Sequence, residues 1–252
     1  MAISWKRAQQ NEERFWKKIY VERHDDATYS PATESAAFVF AKKSLERFGH
    51  TFDSAREKVV ADVGCGPYGL IVGFYTYMRQ RGVRPLRLYG LDPLISTYLG
   101  FESLPRDSWI EYVESKAESM PLGDASCDYV YSTNVIDHVE DPGAVLRECL
   151  RVCKSSGEVL FAVHVVRFPF TALRPILFLI DKNHPHHFSK NSVTALARKC
   201  SRSVVVTRKV SMLEDHPGFT FANALRSPNI LRGLRRWLST FVLCTYYLRC
   251  SK

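Results

Sequence analysis

The chain has 252 residues, 46% apolar and 24% charged, with 35 Lys and Arg against 26 Asp and Glu. That composition suits a soluble globular protein with one full core plus decorations. No apolar run approaches the ~20 residues of a membrane span, and residues 1–20 are too polar and aromatic for a signal peptide, so a cytoplasmic location is expected.

The seven cysteines are odd in number and form no C-x-x-C pair. Cys149 and Cys153 are spaced to share a helix face, but no partner pair with zinc-like spacing lies nearby, so free thiols in a reducing compartment are expected. Charge is uneven. Residues 190–252 carry twelve Lys or Arg and only Glu214 and Asp215 as acids, +10, which leaves −1 for the remainder of a chain that totals +9. A phosphorylated substrate, an anionic membrane face and RNA are the partners such a segment suits, against a plainly solvated surface. The basic residues are not interleaved with exposed aromatics in the manner of a nucleic-acid binder, so nucleic acid ranks last.

Residues 1–54 read as a helical cap, with Trp5, Phe15, Trp16 and Tyr20 among charges and a second apolar segment from Ala36 to Phe48. Trp16 and Tyr20 fall on one helix face and can close over a ligand, whereas Trp5 and Phe15 are read as core packing. Residues 55–252 form the main domain. Strands are predicted at Lys58–Val63, Leu86–Leu91, Trp109–Val113, Cys127–Ser132, Glu158–Val165, Ser203–Val210 and Thr240–Arg249. Helices are predicted at Gly69–Gln80, Ile95–Gly100, Gly143–Cys153 (stopped by Ser155-Ser156-Gly157) and Asn191–Lys199. The alternation implies an α/β fold: a doubly wound, Rossmann-like sheet of seven mostly parallel strands with helices on both faces. An insertion-like stretch, residues 166–188, follows the fifth strand and overhangs the place where such sheets bind ligands, so it reads as a substrate lid.

The most informative segment is Val59-Val60-Ala61-Asp62-Val63-Gly64-Cys65-Gly66-Pro67-Tyr68-Gly69. It describes a buried strand, a glycine turn and a helix N-terminus, which bring backbone close to a ligand. Asp92 ends the next strand, where a carboxylate grips a ribose diol. Glycines alone also fit a nicotinamide enzyme. Asp62, two residues before the first of them, repels a pyrophosphate and attracts an ammonium group. A nucleoside joined to a zwitterionic amino acid suits both acids.

Two later segments, Ala117 to Asp124 and Cys127 to Pro142, complete a set of four motifs in order. Together they resemble a class I S-adenosylmethionine-dependent methyltransferase of the small-molecule type that includes the ubiquinone methylases, over roughly residues 55 to 165. The resemblance implies S-adenosylmethionine as cofactor and an antiparallel last strand. It assigns Asp62, Gly64 and Gly66 to the methionine moiety and Asp92 to the ribose, with Cys65 and Pro93 also among the cofactor-binding residues. Ala117 and Glu118 are assigned to the adenine, and Asn134 and Val135 to the floor beneath the sulfonium. Two departures stand out: Tyr68 occupies a position often held by glycine, and Lys116 one often held by an acid, with Glu118 as its substitute.

Methyl transfer needs positioning above all, and a base only for an acceptor protonated at neutral pH. Asp137 and His138, after the fourth strand, and His187, in the cluster His184-Pro185-His186-His187, are the candidate catalytic residues. Asp181 near that cluster raises a metal reading, but pocket lining is preferred and no metal is expected. The expected acceptor is a small molecule, anionic if Arg167 and Arg174 meet it or amphiphilic if the apolar lid does, and peripheral membrane contact stays open. The oligomeric state is not legible. A non-catalytic scaffold of the same fold and a nicotinamide oxidoreductase are the rival readings.

Overall fold

The computed structural model describes residues 9–18, 34–82, 84–101, 104–177, 184–227 and 229–252. Trp5, Tyr20 and Asp181 lie outside them. Residues 9–18 form helix α1, and α2 (Glu34–Phe48) covers the expected second apolar segment. The core elements follow in order: β1 (Val59–Val63), α3 (Leu70–Arg81), β2 (Arg87–Asp92), α4 (Ile95–Tyr98), β3 (Ile110–Glu114), β4 (Cys127–Thr133), α5 (Pro142–Val152) and β5 (Cys153–Val166). After them come α6 (Arg174–Leu177), β6 (Phe188–Ser189), α7 (Lys190–Cys200), β7 (Ser203–Ser211), α8 (Met212–Asp215), α9 (Phe221–Leu225), α10 (Ile230–Val242) and β8 (Leu243–Ser251).

The strands form one sheet in the order β3-β2-β1-β4-β5-β8-β7, with β6 beside β5. All pairs are parallel except those made by β8, which runs antiparallel to both β5 and β7. The seven expected strands are present with the antiparallel one last. The eighth is the two-residue β6, which pairs with Val165 and Val166 of β5 after β4 has ended opposite Ala162. It fastens the end of the 166–188 stretch to the sheet.

Successive residues of a strand point to opposite faces, so a sheet covered on both sides needs apolar residues without a break. Along β5, Val159, Phe161 and Val163 enter one core with Val130, Leu146 and Cys149, while Leu160 and Ala162 enter the other with Leu70, Phe74 and Tyr131. In the second core Phe52 stacks on Tyr77 with ring centroids 4.4 Å apart. The strand order reverses between β1 and β4, and ligands bind outside the carboxyl ends at such a switch point.

Three local expectations are corrected. Ser155, Ser156 and Gly157 lie inside β5, because α5 passes straight into the strand at Cys153. Cys149 and Cys153 therefore do not share a helix. Residues 240–242 belong to α10, and the closing strand starts at Leu243. All seven cysteines are free thiols. Among the described residues no helix is long and apolar enough to cross a membrane.

Candidate active site

A cavity of about 1040 Å³ opens at the switch point. Its near half is built by the glycine turn. Gly64 has φ +69°, and a Cβ placed there would lie 2.3 Å from Cγ2 of Val135, so the turns after β1 and β4 interlock only with glycine at 64. Gly66 has φ +51° and room for a Cβ, which would touch only the Trp16 ring, at 3.9 Å. Gly69 starts α3, where a Cβ would meet the Cys65 carbonyl oxygen at 2.1 Å. Asn134, at φ +61°, takes the left-handed turn that carries the chain out of β4, and its N–H donates to the Ala162 carbonyl at 2.8 Å.

The two acids occupy different places. Asp62 is 1% exposed and lies under the turn rather than on the cavity wall, where its Oδ2 accepts from the Ile71 N–H at 3.0 Å. Burial pushes its carboxyl up to about 7, against the opposing backbone hydrogen bond. Asp92 reaches the cavity. Its Oδ2 accepts from the Gly66 N–H at 3.2 Å and its Oδ1 from the Leu94 N–H at 2.9 Å, while burial raises its carboxyl to about 6. Each carboxylate oxygen retains a further lone pair for a ligand hydroxyl.

Gly64, Cys65, Gly66, Asp92, Pro93, Ala117, Glu118, Asn134 and Val135 all line this one cavity. Glu118 is already engaged, its Oε1 accepting from the Glu140 N–H at 2.8 Å, and Lys116 pairs with Glu140 at 3.4 Å. Trp16 covers the glycine turn and lies 5.8 Å from the Tyr68 ring, its indole N–H donating to Glu12. Phe15, expected in the core, is 51% exposed and borders the cavity instead.

The far half was only partly visible in the sequence. His138 and His184 stand on its wall with ring centroids 4.4 Å apart. Asp137 is buried behind them, its Oδ1 without a hydrogen-bond partner among the described residues, and one donor atom from each of the three lies within 4.8 Å of the others. His187 is not on the wall among the described residues. Its carbonyl accepts from Arg174 Nε at 2.5 Å, which ties Arg174 to the end of the 166–188 stretch. His186 pins the same stretch to the turn after β4, with Nε2 2.9 Å from the Val139 carbonyl and its N–H donating to Asp137 O at 3.3 Å. Neither Arg167 nor Arg174 faces the cavity; its cations among the described residues are Lys43, Arg47 and Lys116.

A chain of side chains at the deep end has no motif in the sequence. His164, on β5, has Nδ1 3.2 Å from Thr245 Oγ1, which donates to Asp215 Oδ2 at 3.3 Å. Asp215 pairs with Arg47 at 2.6 Å, and Arg47 donates to the Tyr247 hydroxyl at 2.9 Å. Burial holds the His164 imidazole below its ordinary range, so it is neutral at pH 7. The members come from α2, β5, α8 and β8. A lone His in an apolar strand was the only signal available for it.

Residues 61–161 match the methyltransferase domain family. The tRNA U34 carboxymethyltransferase of Campylobacter concisus is 34% identical over 104 residues, 40% of this chain and 34% of that protein. The ubiquinone biosynthesis O-methyltransferase of Aliivibrio fischeri is 26% identical over 167 residues, 64% of this chain and 69% of that protein. The chain thus spans about a third of the first relative and 69% of the second. A structure of Haemonchus contortus phospholethanolamine N-methyltransferase 2, in complex with phosphomonomethylethanolamine and S-adenosylhomocysteine, superimposes with TM-score 0.60 at 14% identity, over 90% of this chain and 58% of that one. At such identity the likeness is one of fold.

Proposed function

We propose, on the premise that this chain belongs to the class I S-adenosylmethionine-dependent methyltransferases, that it transfers a methyl group to an oxygen or nitrogen of a small-molecule acceptor held in the far half of its cavity. The observation that carries this reading is the continuity of the cavity, from the glycine turn past Val135 to His138, His164 and His184. Its volume lies at the upper end of the ~300–1,000 Å³ usual for a single ligand pocket, so cofactor and acceptor have room together. The residues fit S-adenosylmethionine: Gly66 offers a cradle that a Cβ would fill, and Asp92 keeps acceptor capacity at the cavity wall. When bound, that cofactor supplies an electrophilic methyl group.

The chain's own part is to hold and orient. Asp92 binds the ribose hydroxyls, Ala117 and Glu118 border the adenine, and Trp16 excludes water from the glycine turn. Asp62 stabilises the turn from below and attracts the amino group through the field of its buried charge. Val135 forms the floor between the two halves. His138 and His184 contact the acceptor. His164 accepts the acceptor's proton, being neutral and held at Nδ1 by Thr245, which Asp215 orients in turn; a base positioned by a third group is the arrangement such chemistry requires. Val39 and Phe40 beside Lys43 and Arg47 favour an acceptor with an apolar body and a polar or anionic end.

The test is a screen of hydroxyl and amine acceptors with radiolabelled S-adenosylmethionine, comparing the wild type with His164→Ala and His187→Ala. We expect His164→Ala to lower turnover by about 10²-fold, as loss of a general base does, while cofactor affinity holds. His187→Ala, off the wall, is expected to change little. Chelators are expected to leave turnover unchanged, because the histidines are read as lining. Activity lost in EDTA and restored by a divalent ion would instead make Asp137, His138 and His184 a metal site. Full activity in His164→Ala would remove it as the base.

A further inference from the structure

We propose that the outer face of α9 and α10 docks on an anionic phospholipid surface. A surface helix of a globular protein turns its apolar stripe inward, and α10 does the reverse. Its packed side is marked by Gly233, where a Cβ would lie 2.5 Å from the Ala224 carbonyl oxygen of α9, and by Thr240, 7% exposed two turns on. Four of its bulky residues are half or more exposed, Ile230 at 52%, Leu231 at 82%, Leu238 at 51% and Phe241 at 50%, while Leu234 and Trp237 are half-buried. From α9, Phe221 and Leu225 are about half exposed as well. Trp237 joins the two helices, its ring 4.9 Å from Phe221 and 5.2 Å from Phe241. An amphipathic helix with an outward apolar face and a basic flank lies in a lipid interface.

Charge decides the occupant. Exposed Arg226, Arg235 and Arg236 flank the apolar residues, and residues 216–252 contain no acid at all. The acids that precede it in the sequence are already paired, Asp215 with Arg47 at 2.6 Å and Glu214 with Arg47 and Arg208 at 3.9 Å. A second copy of this face would bring like charges together, whereas anionic headgroups neutralise them and receive the apolar side chains. Docking also has a use under the proposed function, on which this part alone rests. The peptide that enters α9 begins with Asp215 and His216 on the cavity wall, and α10 runs directly into β8, which carries Thr245 and Tyr247 to that wall. A bound surface would supply an amphiphilic acceptor to the far half of the cavity.

Vesicle flotation of the full chain tests the proposal, with phosphatidylcholine alone and phosphatidylcholine mixed with phosphatidylglycerol. We expect flotation with the mixed vesicles only, weakening as salt rises. Arg235→Gln with Arg236→Gln should lower binding roughly fivefold per arginine, as expected for basic residues near an anionic surface. Leu231→Glu with Leu238→Glu should abolish flotation while S-adenosylmethionine affinity stays at the wild-type value, which shows that the variant is folded. Equal flotation with phosphatidylcholine alone, wild-type flotation of the glutamate variant, or no flotation at all would overturn the proposal. Concentration-dependent dimerisation abolished by those glutamates, without flotation, would assign the face to a second copy instead. Methyl transfer failing while flotation persists would count against the proposed function and leave the docking face standing.

Discussion

Asp62 is a carboxylate in the wrong solvent. It is 1% exposed, and burial raises its pKa from the ordinary carboxylate value to about 7. A folded-state pKa above the unfolded one means that the native chain binds a proton which the unfolded chain releases. Its contribution is therefore fully present below about pH 4 and is lost as pH rises through about 7. Asp62→Asn keeps an oxygen for the Ile71 N–H and removes the charge. In denaturant titrations without ligand, the variant should gain on the wild type by on the order of 3 kcal/mol between about pH 5 and pH 8. It should also bind S-adenosylmethionine more weakly while adenosine, which lacks the amino group, is less affected. A stability gap that does not move with pH would mean that Asp62 does not titrate in that window.

At the scale of elements, the turns after β1 and β4 act as one piece. Gly64 is required twice over, by its φ of +69° and by Val135 2.3 Å from where its Cβ would be. Gly64→Ala should cost about 2–4 kcal/mol, from a strained backbone and a clash. Adding Val135→Ala should recover the clash but not the strain, so the double variant falls between. Strictly additive losses in a double-mutant cycle would show that the two turns are not coupled. The glycines announced this turn in the sequence because three so close mark a bend where backbone must take left-handed angles or approach its neighbours tightly. Helix α10 was less legible. Ile230, Leu234, Trp237, Leu238 and Phe241 have helical spacing, yet the helix enters β8 at Val242–Leu243 with no glycine or proline between, so its end read as strand. The α5–β5 junction hid in the same way, since the polar Ser155-Ser156-Gly157 that looks like a stop is carried inside a strand.

For the whole molecule, the legible part of the site is the part made by contiguous motifs. Asp92, Ala117, Asn134 and Val135 reach one wall because each follows a parallel strand, and strand order alone brings those ends together. The far half has no such signature. Arg47, His164, Asp215 and Thr245 come from four elements, each an unremarkable polar residue in its own neighbourhood, and only β8 returning between β5 and β7 assembles them. The histidine cluster is divided by the same topology: β6 draws Phe188, the neighbour of His187, against Val165 and leaves His184 to face His138.

The central claim is that the glycine turn and Asp92 hold S-adenosylmethionine, and calorimetry with S-adenosylmethionine and NADH, on the wild type and on Asp92→Ala, tests it most directly. The account predicts saturable one-to-one binding of S-adenosylmethionine without added metal and no binding of NADH. It also predicts that Asp92→Ala weakens S-adenosylmethionine by about 1–3 kcal/mol, the worth of charge-assisted hydrogen bonds to a diol. Binding of NADH in preference, or S-adenosylmethionine affinity untouched by the loss of Asp92, would contradict it.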